Sequence, residues 1–311
     1  MANLHLTIQW TEGMPMTAEC EFETWDVFTA TRFAGNPLAV LFDADGVDVL
    51  QMQAVTREFD YSESVFIQAA TLPGHDARLR IFTPAGELPF AGHPTVGAAC
   101  ALARRRGHAG SMRLELGAGS FAIETRLQKS LWSAEFVNPN LPRIVGPGPE
   151  PAQLAAALGL APDQIAAGAS APRRVGAGID FIAVQTSAQA LVAAKLDVAA
   201  FDALAMDGAC GLLVYAIESD GLNHQVRARM FAPHIGVPED PATGSAAAAL
   251  PAHLFDPESM ADGLHRIEVL QGGEMGRPSR IEVSVAVECG CFAALTVAGQ
   301  AVPVARGTIL A

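Results

Sequence analysis

Residues 78–99 read RLRIFTPAGELPFAGHPTVGAA, and residues 227–246 read RARMFAPHIGVPEDPATGSA, which repeats the same pattern. In both copies Arg-x-Arg precedes Phe-x-Pro, and a later proline is followed, after two intervening residues, by Gly-x-Ala. The loops that join these elements differ in length by two residues. A single short match would be chance, but two matches in register indicate an internal duplication, each copy being a strand, a loop and an apolar helix.

His93 and Asp240 occupy matching positions in the two copies, each directly before a proline. The residue before proline avoids the helical region, and proline favours the first helical position, so both side chains are predicted to lie at a helix N-cap. Asp is a preferred N-cap residue, so a purely structural role is open for Asp240, whereas histidine titrates near neutral pH. The matched pair is stronger evidence for a site than either residue alone.

The two helices that follow, PTVGAACALA and PATGSAAAALPAHL, are almost wholly small or apolar. Helices of this kind are surrounded by protein, so each is predicted to be the central helix of its domain. Their first turns offer free N–H groups and a positive dipole, which suit a substrate carboxylate. Gly97 and Gly244 would let other backbone approach closely.

Short β-rich runs outnumber the helix-like segments, and several strands follow one another without a helix between them, which predicts an α+β fold. The stretch NPNLPRIVGPGPEP, at 138–151, is rich in proline and glycine and is the expected linker between two domains. The expected domains are an N-terminal one of residues 20–138 plus 299–311, carrying Glu63 and His93, and a C-terminal one of residues 139–298, carrying Asp240 and Ser245.

Composition argues against several classes of protein. A net charge of −13 over 311 residues would repel nucleic acid and anionic lipid, and no apolar run is long enough to span a membrane. We therefore expect neither nucleic acid nor membrane as a partner. Five scattered cysteines and the absence of a signal peptide favour a reduced, cytoplasmic setting. Residues before Met16 are expected to form an extended start or a partner-binding arm.

The sequence carries no cofactor signature. The run Gly176-Ala177-Gly178 lacks the third glycine and the following helix of a dinucleotide-binding motif. Cys289 and Cys291 alternate within a strand-like stretch, which favours packed side chains over a pair of metal ligands. We therefore expect a protein that uses no cofactor and no metal.

Four ordered segments resemble the PhzF-like family, named after phenazine biosynthesis, whose fold is shared with diaminopimelate epimerase. These segments are DVFTATRFAGNPLAV (26–40), YSESVF (61–66), RIFTPAGELPFAGHPTVGAA (80–99) and PEDPATGSAAAAL (238–250). The resemblance implies two pseudo-symmetric domains, each a curved, barrel-like sheet around a central helix, with the active site between them. It also implies a homodimer and a small carboxylic acid as substrate.

The resemblance further implies roles for particular residues. Glu63, which from its local run alone could be an ordinary exposed strand residue, matches the family's catalytic acid/base. His93 and Asp240 match its other catalytic polar residues. The positions that match substrate-binding residues are Asn36, Ser62, Gly92, Gly244 and Ser245.

The epimerase relatives place one thiol at each of two helix mouths, but FAGHPT and EDPATGSA contain no cysteine, which excludes a two-thiol racemisation. Cys100, farther along the first central helix, is expected to be a core residue. The leading hypothesis is a cofactor-independent isomerase in which Glu63 moves a proton within a small acid. An epimerase or dehydratase on the same scaffold and a non-catalytic small-acid binding protein stay open, and phenazine synthesis is not implied.

Overall fold

The computed structural model describes residues 19–219 and 223–311. The expectation for residues before Met16 concerns a segment outside this part. The described residues form one sheet of seventeen strands together with seven α-helices. The strands are β1 (Glu19–Val27), β2 (Asn36–Leu41), β3 (Glu63–Gln68), β4 (Ala77–Phe82), β5 (Glu87–Leu88), β6 (Ser111–Leu116), β7 (Gly119–Gln128), β8 (Leu131–Val137), β9 (Arg143–Pro147), β10 (Arg173–Gly176), β11 (Asp180–Gln185), β12 (Leu212–Ser219), β13 (Asn223–Ala232), β14 (Val237–Asp240), β15 (Gly263–Gln271), β16 (Ser279–Glu288) and β17 (Cys291–Leu310). The helices are α1 (Val49–Phe59), α2 (Gly92–Arg106), α3 (Pro151–Leu158), α4 (Ala188–Ala193), α5 (Val198–Asp202), α6 (Gly244–Ala249) and α7 (Pro251–Leu254).

Eight strands close into a barrel around helix α2. Neighbours pair in the order β1, β2, β3, β4, β6, β7, β8 and β17, and β17 pairs again with β1. The pairs β2–β3 and β4–β6 are parallel, and the others are antiparallel. Residues 92–103 of α2 are all buried, because strands of the barrel surround the helix. The predicted burial of this helix is confirmed.

The later strands pair in the same order and sense. β10, β11, β12, β13, β15, β16 and β17 follow one another, with parallel pairs at β11–β12 and β13–β15. Helix α6 follows β14 as α2 follows β5. The long strand β17 connects the two sets, since residues up to Ala298 pair with β16 and residues from Ala301 pair with β1. The sheet is mixed and includes a closed barrel, and the predicted α+β class is confirmed.

The proline-rich stretch 138–151, predicted to be a linker, contains regular secondary structure. Arg143–Pro147 form β9, which pairs antiparallel with β10, and Pro151 begins α3. Proline cannot donate to a ladder, but it is tolerated at the end of a strand, where Pro147 lies. The stretch therefore includes a short strand that its proline content did not indicate, and the prediction that it links two domains stays a prediction.

The repeated Arg-x-Phe of the sequence builds the same ion pair twice. Arg80 on β4 donates through Nε and Nη2 to Glu87 on β5, at 2.8 and 2.6 Å. Arg229 on β13 donates in the same way to Glu239 on β14, at 2.8 and 2.9 Å. Each guanidinium also lies near the ring of the phenylalanine two residues later, 5.3 Å from its centroid in the first copy and 4.9 Å in the second. Both copies of the repeated sequence therefore make the same contact in the segments that precede α2 and α6.

Phe28 packs where the two sets of strands meet. It is fully buried with a φ of 62°, and its ring lies against Gly299 and Gly244. A Cβ at position 299 would overlap Phe28 Cδ1, whereas a Cβ at Gly86 would meet nothing within 4 Å. We expect Gly299→Ala to lower the free energy of unfolding by about 1–3 kcal/mol through overpacking. Chemical denaturation of both variants checks this, and Gly86→Ala should change stability by under about 1 kcal/mol; equal stabilities would contradict the packing argument.

Candidate active site

The first copy of the repeat does not place His93 at the N-cap. Helix α2 begins at Gly92 with Ala91 as its N-cap, so His93 lies inside the first turn. The helix starts early because the backbone N–H and the hydroxyl of Thr95 both donate to the Ala91 carbonyl, at 3.3 and 2.7 Å. Pro94 lacks an N–H, but a first-turn N–H needs no partner within the helix. The N-cap prediction for His93 was therefore wrong.

In the second copy the helix begins later than predicted. Asp240 ends β14, and α6 begins only at Gly244, with Thr243 as the N-cap residue. The side chain of Gln271 accounts for this, because it donates to the Asp240 carbonyl at 2.7 Å and accepts from the Thr243 N–H at 3.2 Å. These backbone groups are held outside the helix, so the prediction of an N-cap at Asp240 was also wrong.

The starts of α2 and α6 meet at two glycines. A Cβ on Gly92 would lie 3.1 Å from Gly244 Cα and 3.2 Å from the Ser245 nitrogen, tighter than ordinary packing. Both glycines are buried, and Ser245 is partly exposed beside them. The structure thus brings Gly92, Gly244 and Ser245 together, and the absence of side chains at the two glycines permits the contact between the helix starts.

Asn36 connects residues from distant parts of the chain. Its fully buried side chain donates through Nδ2 to Asp240 Oδ1 at 2.8 Å and to the Ala242 carbonyl at 2.9 Å. Its Oδ1 accepts from the Ser62 hydroxyl at 3.0 Å, and its Nδ2 lies 3.3 Å from His93 Nδ1. One amide therefore positions four of the residues or segments that the sequence analysis had singled out.

Glu63 and His93 face each other across a short gap. Glu63 is the first residue of β3, and its Oε2 lies 3.6 Å from His93 Nε2. Both atoms are buried, and neither has a hydrogen-bond partner among the described residues. Buried polar atoms in folded proteins are almost always bonded, so this unpaired couple indicates a place that a ligand would complete.

The two carboxyl groups titrate at separate pH values. The pKa of Glu63 is raised to about 8, mainly by burial and secondly by the charge of Asp240. A hydrogen bond from Ser62 offsets part of this rise. Burial raises the pKa of Asp240 to about 6, opposed by hydrogen bonds from Thr243 and Asn36. At pH 7 Asp240 is therefore mostly ionised and Glu63 mostly protonated, which separates the two carboxyl groups into a fixed anion and a proton carrier.

His93 is neutral at the same pH. Burial lowers its pKa to about 3, and a hydrogen bond to the Pro37 carbonyl offsets only part of this effect. Nε2 has no partner among the described residues, whereas Nδ1 lies 3.3 Å from Asn36 Nδ2. The carboxyl group of Glu63 therefore faces a neutral imidazole at 3.6 Å, a distance too long for a direct hydrogen bond.

Three neighbours of this cluster were not singled out from the sequence. The Thr243 hydroxyl donates to Asp240 Oδ2 at 2.5 Å and lies inside the matched PEDPATGSA segment, so a signal for it existed. Gln271, the last residue of β15, lies beside Asp240 in the folded chain, and no local sequence pattern indicated this. Cys210 is a third such neighbour, since burial and then the charges of Glu63 and Asp240 raise its pKa to about 11, which keeps the thiol protonated. Cys100, by contrast, is fully buried in the core, as expected.

A sizeable surface groove lies apart from the Glu63 and His93 couple. A groove of about 800 Å³ is lined by residues of β7, β8, β12, β13, β15, β16 and β17, and Glu63 is not among them. Its charged side chains pair with one another, as Arg126 does with Glu135 at 3.0 Å and Arg280 with Glu282 at 3.5 Å. The unpaired buried atoms of Glu63 and His93 are the stronger indication of a reactive site.

The described residues also limit other kinds of site. Within 19–219 and 223–311, no group of three or more His, Cys, Asp or Glu side chains comes together as a metal site would require. No helix in the same residues is both long and apolar enough to cross a membrane.

The raised pKa of Glu63 predicts a pH-dependent change in stability. A carboxyl group whose pKa rises from 4.5 to about 8 on folding favours the folded state below pH 4.5, and this contribution is lost as the pH rises through 8. We expect Glu63→Gln, which stays neutral, to match the parent at pH 4 and to be more stable by a few kcal/mol, order of magnitude, at pH 9. Urea unfolding at both pH values checks this, with the exposed Glu58→Gln as control; a stability difference independent of pH would contradict it.

The family of the chain follows from comparison with known proteins. A family model described as phenazine biosynthesis-like protein matches residues 25–307, and the chain belongs to this PhzF family. The resemblance seen in the sequence is confirmed, and with it the α+β fold of these enzymes.

Individual relatives define the class of enzyme. The chain is 38% identical over 299 residues to an uncharacterized isomerase of Mesorhizobium japonicum, a match covering 92% of this chain and 97% of that protein. It is 36% identical over 288 residues to the trans-2,3-dihydro-3-hydroxyanthranilate isomerase of Pseudomonas fluorescens, with the same coverages. A PhzF-family phenazine biosynthesis protein of Bacillus anthracis has the same fold, with a TM-score of 0.83 at 24% identity over 95% of this chain and all of that one. The protein is an isomerase.

Proposed function

We propose that this isomerase moves a proton between two carbons of a small carboxylic acid, with Glu63 as the general acid/base. The observation that supports it most is the unpaired couple of Glu63 Oε2 and His93 Nε2, buried at 3.6 Å from each other. Leaving buried polar atoms unbonded costs about 1–3 kcal/mol each, which a bound substrate would recover. A carboxyl group with a pKa near neutral can both accept and return a proton.

The proposed step needs no oxidant or reductant. In the fraction of molecules in which Glu63 is ionised, which a pKa of about 8 leaves available near neutral pH, its carboxylate takes a proton from carbon. The electron pair left behind moves through the adjacent unsaturated system. The protonated Glu63 then delivers the proton to a second carbon, which shifts the double bond and restores the carboxylate. His93, neutral and with its Nε2 toward Glu63, is proposed to bind a polar group of the substrate or to relay the proton.

The remaining site residues are proposed to hold the acid. Free N–H groups in the first turn of α2, beginning at Gly92, would bind the substrate carboxylate, helped by the helix dipole. Gly244 and Ser245 lie directly opposite and would contribute backbone and hydroxyl donors. Asp240, ionised and fixed by Asn36 and Thr243, would accept a hydrogen bond from a hydroxyl or amino group of the substrate.

We also propose that the chain comprises two pseudo-symmetric domains, residues 20–138 with 299–311 and residues 139–298. The matching order of strand pairs supports this division, and so does β17, which changes partner between Ala298 and Ala301. The candidate cleft then lies where the domains meet. A cytoplasmic homodimer is proposed from cysteine usage and family resemblance; size-exclusion chromatography with light scattering tests the dimer.

Deuterium incorporation tests the function and separates its rivals. The protein is incubated in D₂O with trans-2,3-dihydro-3-hydroxyanthranilate and a panel of unsaturated and hydroxy acids, and the products are examined by NMR and mass spectrometry. The proposal requires one acid whose double bond shifts. Substrate hydrogen at the newly protonated carbon shows direct return of the proton by Glu63, and deuterium there shows exchange of the Glu63 proton with solvent before its return. Deuterium at an inverted stereocentre would instead indicate an epimerase, loss of water a dehydratase, and an unchanged bound acid a binding protein.

A further inference from the structure

We infer that Arg277 is a positioning residue that fixes the turn carrying Asn36, and so keeps the candidate cleft assembled. Asn36 immediately follows the turn Ala34–Gly35, and Arg277 precedes β16, far away in the chain. This inference rests on the proposed function, because it assumes that the residues bound by Asn36 form the site.

The guanidinium of Arg277 bonds to three groups at once. Its Nε donates to the Gly35 carbonyl at 2.7 Å, and its Nη2 donates to the Ala34 carbonyl at 2.9 Å. The same Nη2 donates to Asp26 Oδ1 at 2.5 Å, while the other carboxylate oxygen of Asp26 accepts from the Phe33 N–H at 2.6 Å. The turn is therefore held at three successive residues by one arginine and the carboxylate that it pairs with.

Backbone geometry leaves this turn little alternative. The Gly35 N–H donates to the Pro278 carbonyl at 3.1 Å, which adds a second bond to the residue next to Arg277. Gly35 has a φ of +66°, and a Cβ there would overlap the Val27 carbonyl. The chain then enters β2 at Asn36, whose amide reaches Asp240. Arg277 and Asp240 thus bind adjacent residues of one short segment.

The bonding pattern requires the shape of arginine as well as its charge. The planar fork presents several donors in fixed directions, which lysine, a compact point charge, cannot reproduce. Asp26 is almost fully buried, so removal of Arg277 would leave its carboxylate without its cationic partner. We expect the turn to move in that case, Asn36 to release Asp240, and water to reach Glu63.

The test needs no substrate. Arg277→Met is compared with Arg280→Met, a nearby exposed arginine that pairs with Glu282 at 3.5 Å. Hydrogen exchange at residues 33–35 is followed by mass spectrometry, and the titration of Glu63 is followed by NMR of ¹³C-labelled glutamate. Exchange in the Arg277→Met turn should rise about tenfold or more, as expected when hydrogen bonds to a charged group are lost. The Glu63 midpoint should fall from about 8 toward 4.5, with Arg280→Met unchanged.

A folded Arg277→Met variant with parent-like exchange at 33–35 and an unchanged Glu63 midpoint would overturn the inference. A purely structural role would lower the melting temperature without moving that midpoint, which also counts against it. If Arg277→Met does not fold, Arg277→Gln, which can still bond one carbonyl, is judged by the same two criteria. Failure of the deuterium screen would remove the proposed function while leaving these measurements informative about the turn.

Discussion

Glu63→Gln is expected to lower the rate of proton transfer by roughly 10²- to 10⁴-fold, the contribution of a positioned general acid/base. Glutamine preserves the size of the side chain and the neutral charge that Glu63 carries at pH 7, but it cannot accept and return a proton. Because the protonated parent and the variant present similar groups to a ligand, substrate affinity should change little. The measurement is the rate at which the acid identified in the screen is isomerised, with its dissociation constant determined separately.

Two comparisons make that result specific to Glu63. Glu58→Gln removes an exposed carboxyl group from helix α1 and should keep the parent rate. Asp240→Asn removes the anion that raises the pKa of Glu63, so the pH at which Glu63 ionises should fall below about 8. A Glu63→Gln variant that keeps its rate would show that another group carries the proton, and His93 would be the first residue to examine.

Asn36→Ala is expected to have the second largest effect, with kcat/KM lowered by roughly 10²-fold. The reason is that the Asn36 side chain bonds both to Asp240 and to Ser62, which precedes Glu63. The substitution leaves Asp240 Oδ1 and the Ala242 carbonyl without their donor, which costs about 1–3 kcal/mol for each buried group. The Asn36 hydrogen bond also lowers the pKa of Asp240, so its loss should raise that pKa above about 6.

The pH–rate profile distinguishes this effect from simple destabilisation. The acidic limb, where Asp240 must ionise, should move to higher pH in Asn36→Ala, whereas destabilisation alone would lower the rate without moving it. Asn140→Ala, a substitution of an exposed turn residue, is the matched control. An unchanged profile together with an unchanged rate would contradict the role given to Asn36.

The sequence predicted the architecture best where it repeats itself. The two Arg-x-Phe segments occupy β4 and β13, which hold corresponding places in the order of strand pairs. The composition of residues 92–103 predicted a helix buried on all sides, because only an enclosed helix can be apolar all round. Local composition is enough for such features, since they depend on which residues face the core.

Features that depend on long-range contacts could not be predicted. Helix α6 begins after Asp240 because Gln271, from the distant strand β15, bonds to the Asp240 carbonyl. No local pattern at Asp240 signals this. Glu63 was singled out by family resemblance, because its run is that of an ordinary strand. The repeat would not have identified Glu63 either, because the corresponding residue of the second copy is apolar. Glu63 pairs with Leu38, the third residue of β2. The residue that pairs with Ile182, the third residue of β11, is Leu212.

The proposed acid/base role depends on a Glu63 pKa that the folded protein raises close to neutral pH. Titration of ¹³C-labelled glutamate side chains by NMR, with the Glu63 signal assigned by its loss in Glu63→Gln, measures this directly and requires no substrate. The structure predicts a midpoint near pH 8, displaced from 4.5 by burial and by the charge of Asp240. A Glu63 midpoint between pH 4 and 5 would contradict the proposed acid/base role.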